Sequence, residues 1–542
     1  MKTRTAFILS LTAIITLAAG SAFGAYSGGI GEPNDPYIIA TAEDLNDIGN
    51  HQEDWNKNFK LVADVNLAGY TGTQFNRIGT PESPFCGVFD GNGHVIYNLT
   101  YISTTTDFVG VFGYIWSPAA EIKNLGLEDV NVMGGGHIGA MIGWNRSGTV
   151  SNCYSTGMVS GTKQYIGGLI GENDSIVSNC YSTCEVNGCA YVGGLVGYNS
   201  MGSDISNCHS TGTVMGFATD MCYSLGVGGL VGVSGIGTTI TNCYSMSTVT
   251  GFYDVGDLVG QNGGNISDCY STGAVSSGPF TAGFEYMQIG GLVGNNFGIV
   301  SNCHSTATVS VSSTEGSHSY YIGGLIGLNS GTGSYIGNIS HCYSTGTVSG
   351  FSTEGSYSSG VGGLIGSNHD GSINKCYSSS IVSGSWGIGG LAGYNTGGIS
   401  NCYSTGSVTG NEAIGGLIGS DYHGAVSDCY SIGSVSGALF NFGGLIGSIS
   451  DSNIAASFWD TETSGRTTSA GGEGKTTVEM KMLSTFTSAG WDFVDAWGIG
   501  NGQTYPYLKS FNGINPADLN YSGTVDFEDF AIFSSHWLES SN

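Results

Sequence analysis

Two adjacent stretches decide the fold: Val150-Ser-Asn-Cys-Tyr-Ser-Thr-Gly-Met-Val159 and Ile166-Gly-Gly-Leu-Ile-Gly171. Both recur many times with small changes, and the shortest complete unit is 26 residues long. Within a unit, three runs with the composition of β-strands are separated by Gly, Asn and Ser, and none is long or periodic enough for a helix. Copies of the hexapeptide, including variants, begin at Val109, Ile138, Ile166, Val192, Val227, Val255, Ile289, Ile322, Val361, Ile388, Ile414 and Phe442.

Three strands in each short unit fit one coil of a parallel β-solenoid, in which equivalent residues stack along the axis. We therefore expect an all-β, right-handed parallel β-helix of about twelve coils, one for each hexapeptide. A β-propeller is the alternative, but its blades need roughly 40 or more residues.

Alternation along the Cys-containing block places Cys153 and Val159 on one face and Tyr154 on the other. We expect Cys and Val to point inward, Tyr to point outward, and Asn152 to turn the corner in the left-handed conformation. In the hexapeptide, alternation does not decide which face is inward. The cysteines equivalent to Cys153 are Cys180, Cys208, Cys243, Cys269, Cys303, Cys342, Cys376, Cys402 and Cys429.

These stacked cysteines are predicted to be free, buried thiols, because a strand spacing of roughly 4.8 Å exceeds the Cβ separation of about 3.8 Å in a disulfide. Disulfides between alternate pairs are the other reading. Cys189 and Cys222 lie out of phase, just before successive hexapeptides, where they could meet across one turn and cross-link two coils.

The repeats and the regions that flank them divide the chain into six predicted segments. Lys2 and Arg4 precede an apolar run that ends in small residues, as in a cleaved signal peptide, so we expect a secreted or cell-surface protein without membrane insertion. Thr41-Ala-Glu-Asp44 is typical of a helix start in an N-terminal cap. The segments are a signal peptide (1–24), an N-terminal cap with first coils (25–108), the solenoid (109–460), a C-terminal cap (461–510), a linker (511–516) and a calcium-loop segment (517–542).

The charge composition excludes some function classes. The chain has 13 Lys+Arg against 41 Asp+Glu, a formal charge of −28. This balance argues against nucleic-acid binding, which needs cations on phosphates, and against docking on anionic lipid.

The repeats resemble those of the GLUG-motif family, through Gly168-Leu169-Ile170-Gly171 and its copies from Val109 to Trp459. The resemblance implies a secreted or surface-exposed, adhesin-like bacterial protein, or a non-catalytic part of an immunoglobulin-cleaving protease. The family brings no catalytic residues to this chain. No His-Glu-x-x-His motif occurs, so the protease association implies no activity here.

The C-terminal segment carries a twelve-residue loop of the type that binds Ca²⁺, with Gly523 at its sharp turn. The segment resembles one half of a type I dockerin, which implies a cohesin-like partner, although a dockerin normally has two copies. A solvated acidic loop without a ligand is the alternative. The predicted ligands are Asp518, Asn520, Ser522, Thr524 through its carbonyl, Asp526 and Asp529.

Two aromatic surfaces are candidates for binding a glycan or a surface protein. The outward residue after each stacked Cys forms a stripe, which either packs against sugar rings or stacks on itself. Long insertions follow Cys208, Cys269, Cys303 and Cys342, and they emerge from one edge, where solenoids place binding loops; neutral loop drift is the alternative. The aromatic residues of these insertions are Phe217, Tyr223, Phe280, Phe284, Tyr286, Tyr320, Tyr321, Phe351 and Tyr357.

Catalysis is the less favoured reading. A lyase for acidic polymers needs cations, and between Ser147 and Asp460 the sequence has only Lys163 and Lys375. A glycosidase needs two carboxylates, and the acids of the solenoid are scattered, mostly in expected turns or insertions. We therefore expect a non-enzymatic scaffold for adhesion or for glycan or protein binding; a glycan-hydrolysing β-helix and a dockerin-mediated extracellular assembly are the alternatives.

Overall fold

The computed structural model describes residues 26–511, except 201, 218–223, 279–286, 314–319, 332–336 and 353–359. The described chain winds as the predicted parallel β-solenoid, with one strand of each coil in each of two continuous sheets and the remaining strands, of two to nine residues, on a third face. Among the described residues, no helix is long and apolar enough to cross a membrane.

The three faces are called sheets A, B and C, and their neighbouring strands are parallel. Sheet A has 15 strands: Tyr37–Ile39, Asn58–Leu61, Val88–Asp90, Glu121–Lys123, Thr149–Ser151, Ile176–Ser178, Asp204–Ser206, Thr239–Thr241, Asn265–Ser267, Ile299–Ser301, Asn338–Ser340, Ser372–Asn374, Gly398–Ser400, Ala425–Ser427 and Asn453–Ala455. Sheet B has 12 strands, in agreement with the expected coil number: Phe112–Ile115, Ile142–Asn145, Ile170–Asn173, Val196–Asn199, Val231–Ser234, Val259–Asn262, Val293–Asn296, Ile326–Ser330, Ile365–His369, Ala392–Asn395, Ile418–Tyr422 and Ile446–Ser450.

Sheet C contains the short strands of the Cys-containing block and the strands that lead into each hexapeptide. Its strands are Val65–Asn66, Val95–Tyr97, Thr100–Ile102, Gly126–Gly134, Tyr154–Gly161, Gln164–Gly167, Tyr181–Ser182, Glu185–Gly188, Ala190–Gly193, His209–Ser210, Thr213–Gly216, Leu225–Gly228, Tyr244–Ser245, Thr248–Gly251, Tyr253–Gly256, Tyr270–Ser271, Ala274–Ser277, Met287–Gly290, His304–Ser305, Thr308–Ser313, Tyr320–Gly323, Tyr343–Ser344, Thr347–Ser352, Val361–Gly362, Tyr377–Ser378, Ile381–Gly384, Trp386–Gly389, Tyr403–Ser404, Val408–Gly415, Tyr430–Ser431, Val435–Gly443, Phe458–Asp460 and Glu473–Lys475.

Equivalent residues pair in register from coil to coil, so the core consists of columns of like side chains. Val150 pairs with Val177 in sheet A, and Ile142 pairs with Ile170 in sheet B. The corner residue Asn152 adopts φ 54°, as predicted. Its equivalents have φ between 50° and 55°: Asn179, Asn207, Asn242, Asp268, Asn302, His341, Lys375, Asn401 and Asp428.

The ten stacked cysteines are buried and free, which confirms the predicted thiol column. The N–H of Cys153 donates to Sγ of Cys180 at 3.4 Å, and the Cys153 thiol donates to the carbonyl of Ser151 at 3.2 Å. Cys189 is disulfide-bonded. Cys222, its partner as expected from the sequence, lies outside the described residues.

A column of buried amide side chains lies at the C-terminal ends of the sheet B strands. It was not predicted from the sequence. Nδ2 of Asn145 donates to Oδ1 of Asn173 at 2.8 Å, and Asn173 repeats the bond to Asn199 at 2.9 Å. Ser234 interrupts the column. It resumes with Asn262, Asn296, Asn329, Asn368 and Asn395 and ends at Asp421.

Caps cover both ends of the solenoid. The N-terminal helix Ala42–Ile48 begins at Thr41 with the predicted capping box. At the other end, helices Thr477–Met480 and Leu483–Thr487 and the antiparallel strands Trp497–Gly498 and Tyr507–Leu508 enclose a second apolar core. Two short 3₁₀ helices, Gln52–Asp54 and Lys509–Phe511, complete the described elements.

Candidate functional site

The first aromatic surface is the column of rings that follow the stacked cysteines, which we call the tyrosine ladder. Successive rings lie 4.6–5.2 Å apart and within 2–9° of parallel. Each inner ring therefore has both faces against its neighbours and presents only an edge to solvent. The ladder comprises Tyr154, Tyr181, His209, Tyr244, Tyr270, His304, Tyr343, Tyr377, Tyr403 and Tyr430.

The C-terminal cap covers one end of this ladder. Phe511 meets the rings of Tyr343 and Tyr377 edge-on, at 5.7 and 5.0 Å. Tyr430 is 2% exposed, and its hydroxyl donates to the carbonyl of Pro506 at 2.6 Å. Mutual stacking and packing under the cap favour a stabilising role for the ladder.

The structure describes four of the predicted insertion aromatics. Tyr320 is only 1% exposed, so its assignment to a binding loop is wrong: it lies in the strand Tyr320–Gly323, and the alternation of that strand turns it into the core in register with Met287. Phe351 is exposed on the strand Thr347–Ser352. Phe217 and Tyr321 are half-buried.

The remaining predicted site residues lie outside the described residues. They are the insertion aromatics Tyr223, Phe280, Phe284, Tyr286 and Tyr357 and the calcium-loop residues Asp518, Asn520, Ser522, Thr524, Asp526 and Asp529. In the part of the chain that the structure describes, no group of three or more His, Cys, Asp or Glu residues is placed to hold a metal ion.

A second aromatic surface, which we call the aromatic patch, lies on the first four coils. Its first column consists of the residues that precede the hexapeptides, and its second consists of side chains of sheet B. His137 lies 4.6 Å from both Phe108 and Tyr165, between ring centroids, and 5.3 Å from Trp144. The patch comprises Phe108, Tyr114, His137, Trp144, Tyr165, Tyr191 and Tyr198, with the polar residues Arg146, Glu172 and Asp174.

The four residues of the first column all have positive φ. The values are 57° for Phe108, 56° for His137, 68° for Tyr165 and 54° for Tyr191. In the left-handed region, a residue other than Gly costs about 1–3 kcal/mol, and bulky residues are rare there. Three later coils place Gly226, Gly360 and Gly387 at this position, also with positive φ. Three others place Asp254, Ala413 and Asn441 there, with φ of 51°, 53° and 61°, so the position is left-handed in most coils and aromatic in the first four. The first coils therefore keep aromatic rings where glycine would relieve backbone strain.

The last glycine of the hexapeptide makes room for this column. A Cβ on Gly143 would lie 2.7 Å from the carbonyl carbon of Phe108, closer than real Cβ contacts come. The same relation holds between Gly197 and Tyr165, also at 2.7 Å. These close approaches hold the strand that bears the rings directly against sheet B.

Polar groups lie among the rings. Glu172 Oε2 is 2.9 Å from Nε2 of His137. Arg146 donates to the hydroxyl of Tyr114 at 3.2 Å, and its guanidinium lies 4.5 Å from the ring centroid of Trp116, a half-exposed side chain. Burial, together with the nearby charge of Glu172, raises the pKa of Asp174 to about 6. Rings, carboxylates and a guanidinium thus meet on one partly exposed surface.

Several acids of the solenoid are buried, contrary to the expectation that most lie in turns or insertions, and Asp254 and Asp257 lie deepest in one coil. Asp257 replaces the second glycine of a hexapeptide; it accepts from the Ser245 hydroxyl at 2.7 Å and from the N–H of Gly273 at 2.7 Å. Burial raises the pKa of Asp254 and of Asp257 to about 7. Neither carboxylate is accessible to a glycan.

The aromatic patch was not predicted from the sequence, although a signal for it exists. The residue before the hexapeptide is aromatic or His in four consecutive copies: Phe108, His137, Tyr165 and Tyr191. The meaning of this signal depends on the positive φ of the position, which alternation does not reveal.

Comparison with known proteins places the repeats. The GLUG motif matches residues 188–215, 285–310, 318–349 and 384–409. Over 164 residues the chain is 33% identical to halomucin of Haloquadratum walsbyi, a stretch covering 29% of this chain and 2% of halomucin. Over 133 residues it is 31% identical to a "Putative Gly-rich membrane protein" of Evansella cellulosilytica, covering 23% of this chain and 15% of that protein. The chain thus matches only a small part of each relative.

One solved structure is similar. It is the crystal structure of a "putative immunoglobulin A1 protease" from Bacteroides ovatus, with 23% identity, a TM-score of 0.37, and coverage of 48% of this chain and 83% of that chain. The solenoid architecture rests on the strand pairing of this chain itself, and four stretches of the chain match the GLUG motif.

Proposed function

We propose that this GLUG-repeat solenoid is a secreted, non-enzymatic scaffold at the bacterial surface that binds glycans through the aromatic patch. The observation that carries the proposal is the positive φ of four consecutive aromatic or His residues, among them His137 and Tyr165. Strained conformations of this kind persist where the surrounding structure enforces them, and they cluster at functional sites.

The chemistry of the patch suits sugars. The faces and edges of aromatic rings pack against the apolar face of a pyranose, and carboxylates and guanidinium groups bond its hydroxyls. Trp144, Tyr165 and Tyr198 are half-buried, so their rings are packed yet still accessible. Glu172 and Arg146 stand beside these rings.

The composition supports holding a glycan rather than cleaving it. Lys163 and Lys375 are the only Lys or Arg residues between Ser147 and Asp460, which leaves few groups to neutralise charge in a lyase reaction. Lys163 forms an ion pair with Asp107, with Nζ 2.9 Å from Oδ1.

Adhesion through a surface protein is the related alternative, and it would use the exposed insertion edge around Phe351.

The calcium loop stays a separate proposal. Its acidic and amide oxygens are the ligands that Ca²⁺ prefers, and a bound loop would attach the scaffold to a cohesin-like partner. Deleting residues 517–542 should then abolish retention at the cell surface and leave glycan binding intact.

A glycan array with the full chain tests the proposed function. We expect retention of a defined glycan set, at least a tenfold loss of affinity in Trp144→Ala, and no loss in Tyr244→Ala, a matched ring removal in the ladder. Circular dichroism of both variants checks folding, and Tyr198→Ala gives a second test in the patch. Unchanged retention in both patch variants would contradict the proposal, and release of reducing ends would favour the hydrolase alternative.

A further inference from the structure

The charges of the aromatic patch are unequal. Two carboxylates, Glu172 and Asp174, lie near one guanidinium, that of Arg146, which interacts electrostatically with both. The nearest lysine in the sequence, Lys163, forms a two-point ion pair with Asp107, at 2.9 and 3.0 Å. With His137, the hydrogen-bond partner of Glu172, in its neutral form, one negative charge of the patch is therefore not matched by a described lysine or arginine.

The positions of these charged groups show which carboxylate an external cation can reach. Arg146 is held by the hydroxyl of Tyr114 and lies over Trp116 and Trp144, at 4.5 and 5.7 Å from their ring centroids. Glu172 is only 8% exposed, and its carboxylate is 2.9 Å from His137. Asp174 is the more accessible of the two acids.

The pKa of Asp174 is raised because the carboxyl is buried beside a second carboxylate. Its carboxyl is partly removed from water and lies near the charge of Glu172, so its charged form is disfavoured. A bound cation would relieve both effects, since an ammonium group provides the opposite charge and donates charge-assisted hydrogen bonds. The adjacent ring faces add a cation–π attraction.

We propose that the aromatic patch selects glycans that carry protonated amino groups, such as oligomers of glucosamine, over neutral and acidic glycans. This inference rests on the proposed function and specifies its ligand class. The ammonium would lie beside Asp174, and the sugar ring would lie against the rings around Trp144. Acidic oligomers would be repelled by the unmatched carboxylate.

Isothermal titration calorimetry with two tetramers tests this preference. Tetramers of glucosamine and of N-acetylglucosamine share a backbone and differ in the charge on nitrogen. At pH 6.5, above the pKa of about 6 for Asp174, and at low salt, we expect the glucosamine tetramer to bind at least tenfold more tightly. In Asp174→Asn the ratio should fall toward one, and 0.5 M salt should reduce it as well.

The controls separate failure of this inference from failure of the proposed function. Asp428→Asn removes another half-buried carboxyl with a raised pKa, far along the chain, and should leave both affinities unchanged. Equal or tighter binding of the neutral tetramer, still weakened by Trp144→Ala, would overturn the charge preference and retain glycan binding. If Trp144→Ala changes the binding of neither tetramer and of no glycan on the array, both proposals are wrong.

Discussion

The tyrosine ladder and the aromatic patch are both columns of rings on the same solenoid, yet they are built differently. Ladder rings such as Tyr181 and Tyr244 project from short strands and stack within 2–9° of parallel. Patch rings such as His137 and Tyr165 are tilted by 40° and have positive φ. The ladder is a direct result of in-register stacking of equivalent residues. The patch column instead holds bulky residues in the left-handed conformation, which they disfavour.

This difference shows how binding surfaces can be recognised on repeat proteins. In a solenoid, any outward aromatic residue becomes a column, because equivalent residues stack. A conspicuous stripe of tyrosines therefore says little about ligands. Bulky rings at a left-handed position, where other coils of the same chain use Gly, Asp, Ala or Asn, say more, because aromatic residues are disfavoured in that conformation.

The largest predicted effect concerns Asp257, in the coil where Asp254 takes the position of the patch column. Since the folded pKa of about 7 lies above the ordinary 3.8, folding favours protonated Asp257. Its contribution to stability is full below about pH 4 and is lost as pH rises through 7, by about 4 kcal/mol. Asp257→Gly, which restores the motif, should reduce this pH dependence of the urea midpoint; Asp254 maintains the remainder.

An unaltered slope of midpoint against pH between 4.5 and 7.5 in Asp257→Gly would show that Asp257 does not control it. Asp428→Asn is the comparison: burial also raises the pKa of that carboxyl, but it is only half-buried at a surface corner, so its variant should change the slope less than Asp257→Gly does.

Gly197→Ala tests the support beneath the patch. The added Cβ would lie 2.5 Å from the backbone nitrogen of Ile166, so the strand that bears Tyr165 must shift. We expect a loss of about 3 kcal/mol in unfolding free energy, together with weaker glycan binding. Gly398→Ala is the matched control, since a Cβ added there would have no atom within 4 Å. Similar urea midpoints for the two variants would contradict the close approach.

Tyr191→Gly and Tyr244→Gly compare the two ring columns directly. At Tyr191, glycine removes a ring but relieves a positive φ, so these effects nearly cancel. At Tyr244, glycine removes stacking and weakens a strand. The second variant should be less stable by about 2 kcal/mol in urea unfolding, and only the first should lose glycan binding. Equal destabilisation would mean that the patch backbone is not strained.

Cys243→Ala gives the smallest effect. This thiol lies inside the coil, next to Tyr244 of the ladder, and its loss leaves a small cavity. We expect about 1 kcal/mol of destabilisation and unchanged glycan binding.

Thiol titration of the unfolded, unreduced chain should find the twelve cysteines that are free in the structure. A much lower thiol number would indicate disulfides along the column.

The sequence predicts the features that depend on repetition. Cys153 points inward, Tyr154 outward and Asn152 turns the corner, because simple alternation and the conformational preference of Asn decide these positions. Around the hexapeptide, glycines break the alternation. Which face of the strand Tyr320–Gly323 points inward, and hence the burial of Tyr320, therefore depended on register between coils, as did the positive φ of Tyr165, and only the structure provides that register.

The buried groups were missed for a related reason. The amide column from Asn145 repeats at the position after the last hexapeptide glycine and one variable residue, but a surface turn has the same composition. Asp257 likewise reads as a polar substitution in a loop until its partners Ser245 and Gly273 are known.

Hydrogen exchange of the full chain, with and without the tetramer that binds more tightly in calorimetry, tests the central claim most directly. If the aromatic patch is the ligand surface, added ligand should slow exchange in peptides spanning 137–146 and 165–174. Peptides of the ladder around Tyr244 and Tyr270 should be unchanged. Protection confined to the ladder, or to the insertion edge, with none in the first four coils, would contradict the account.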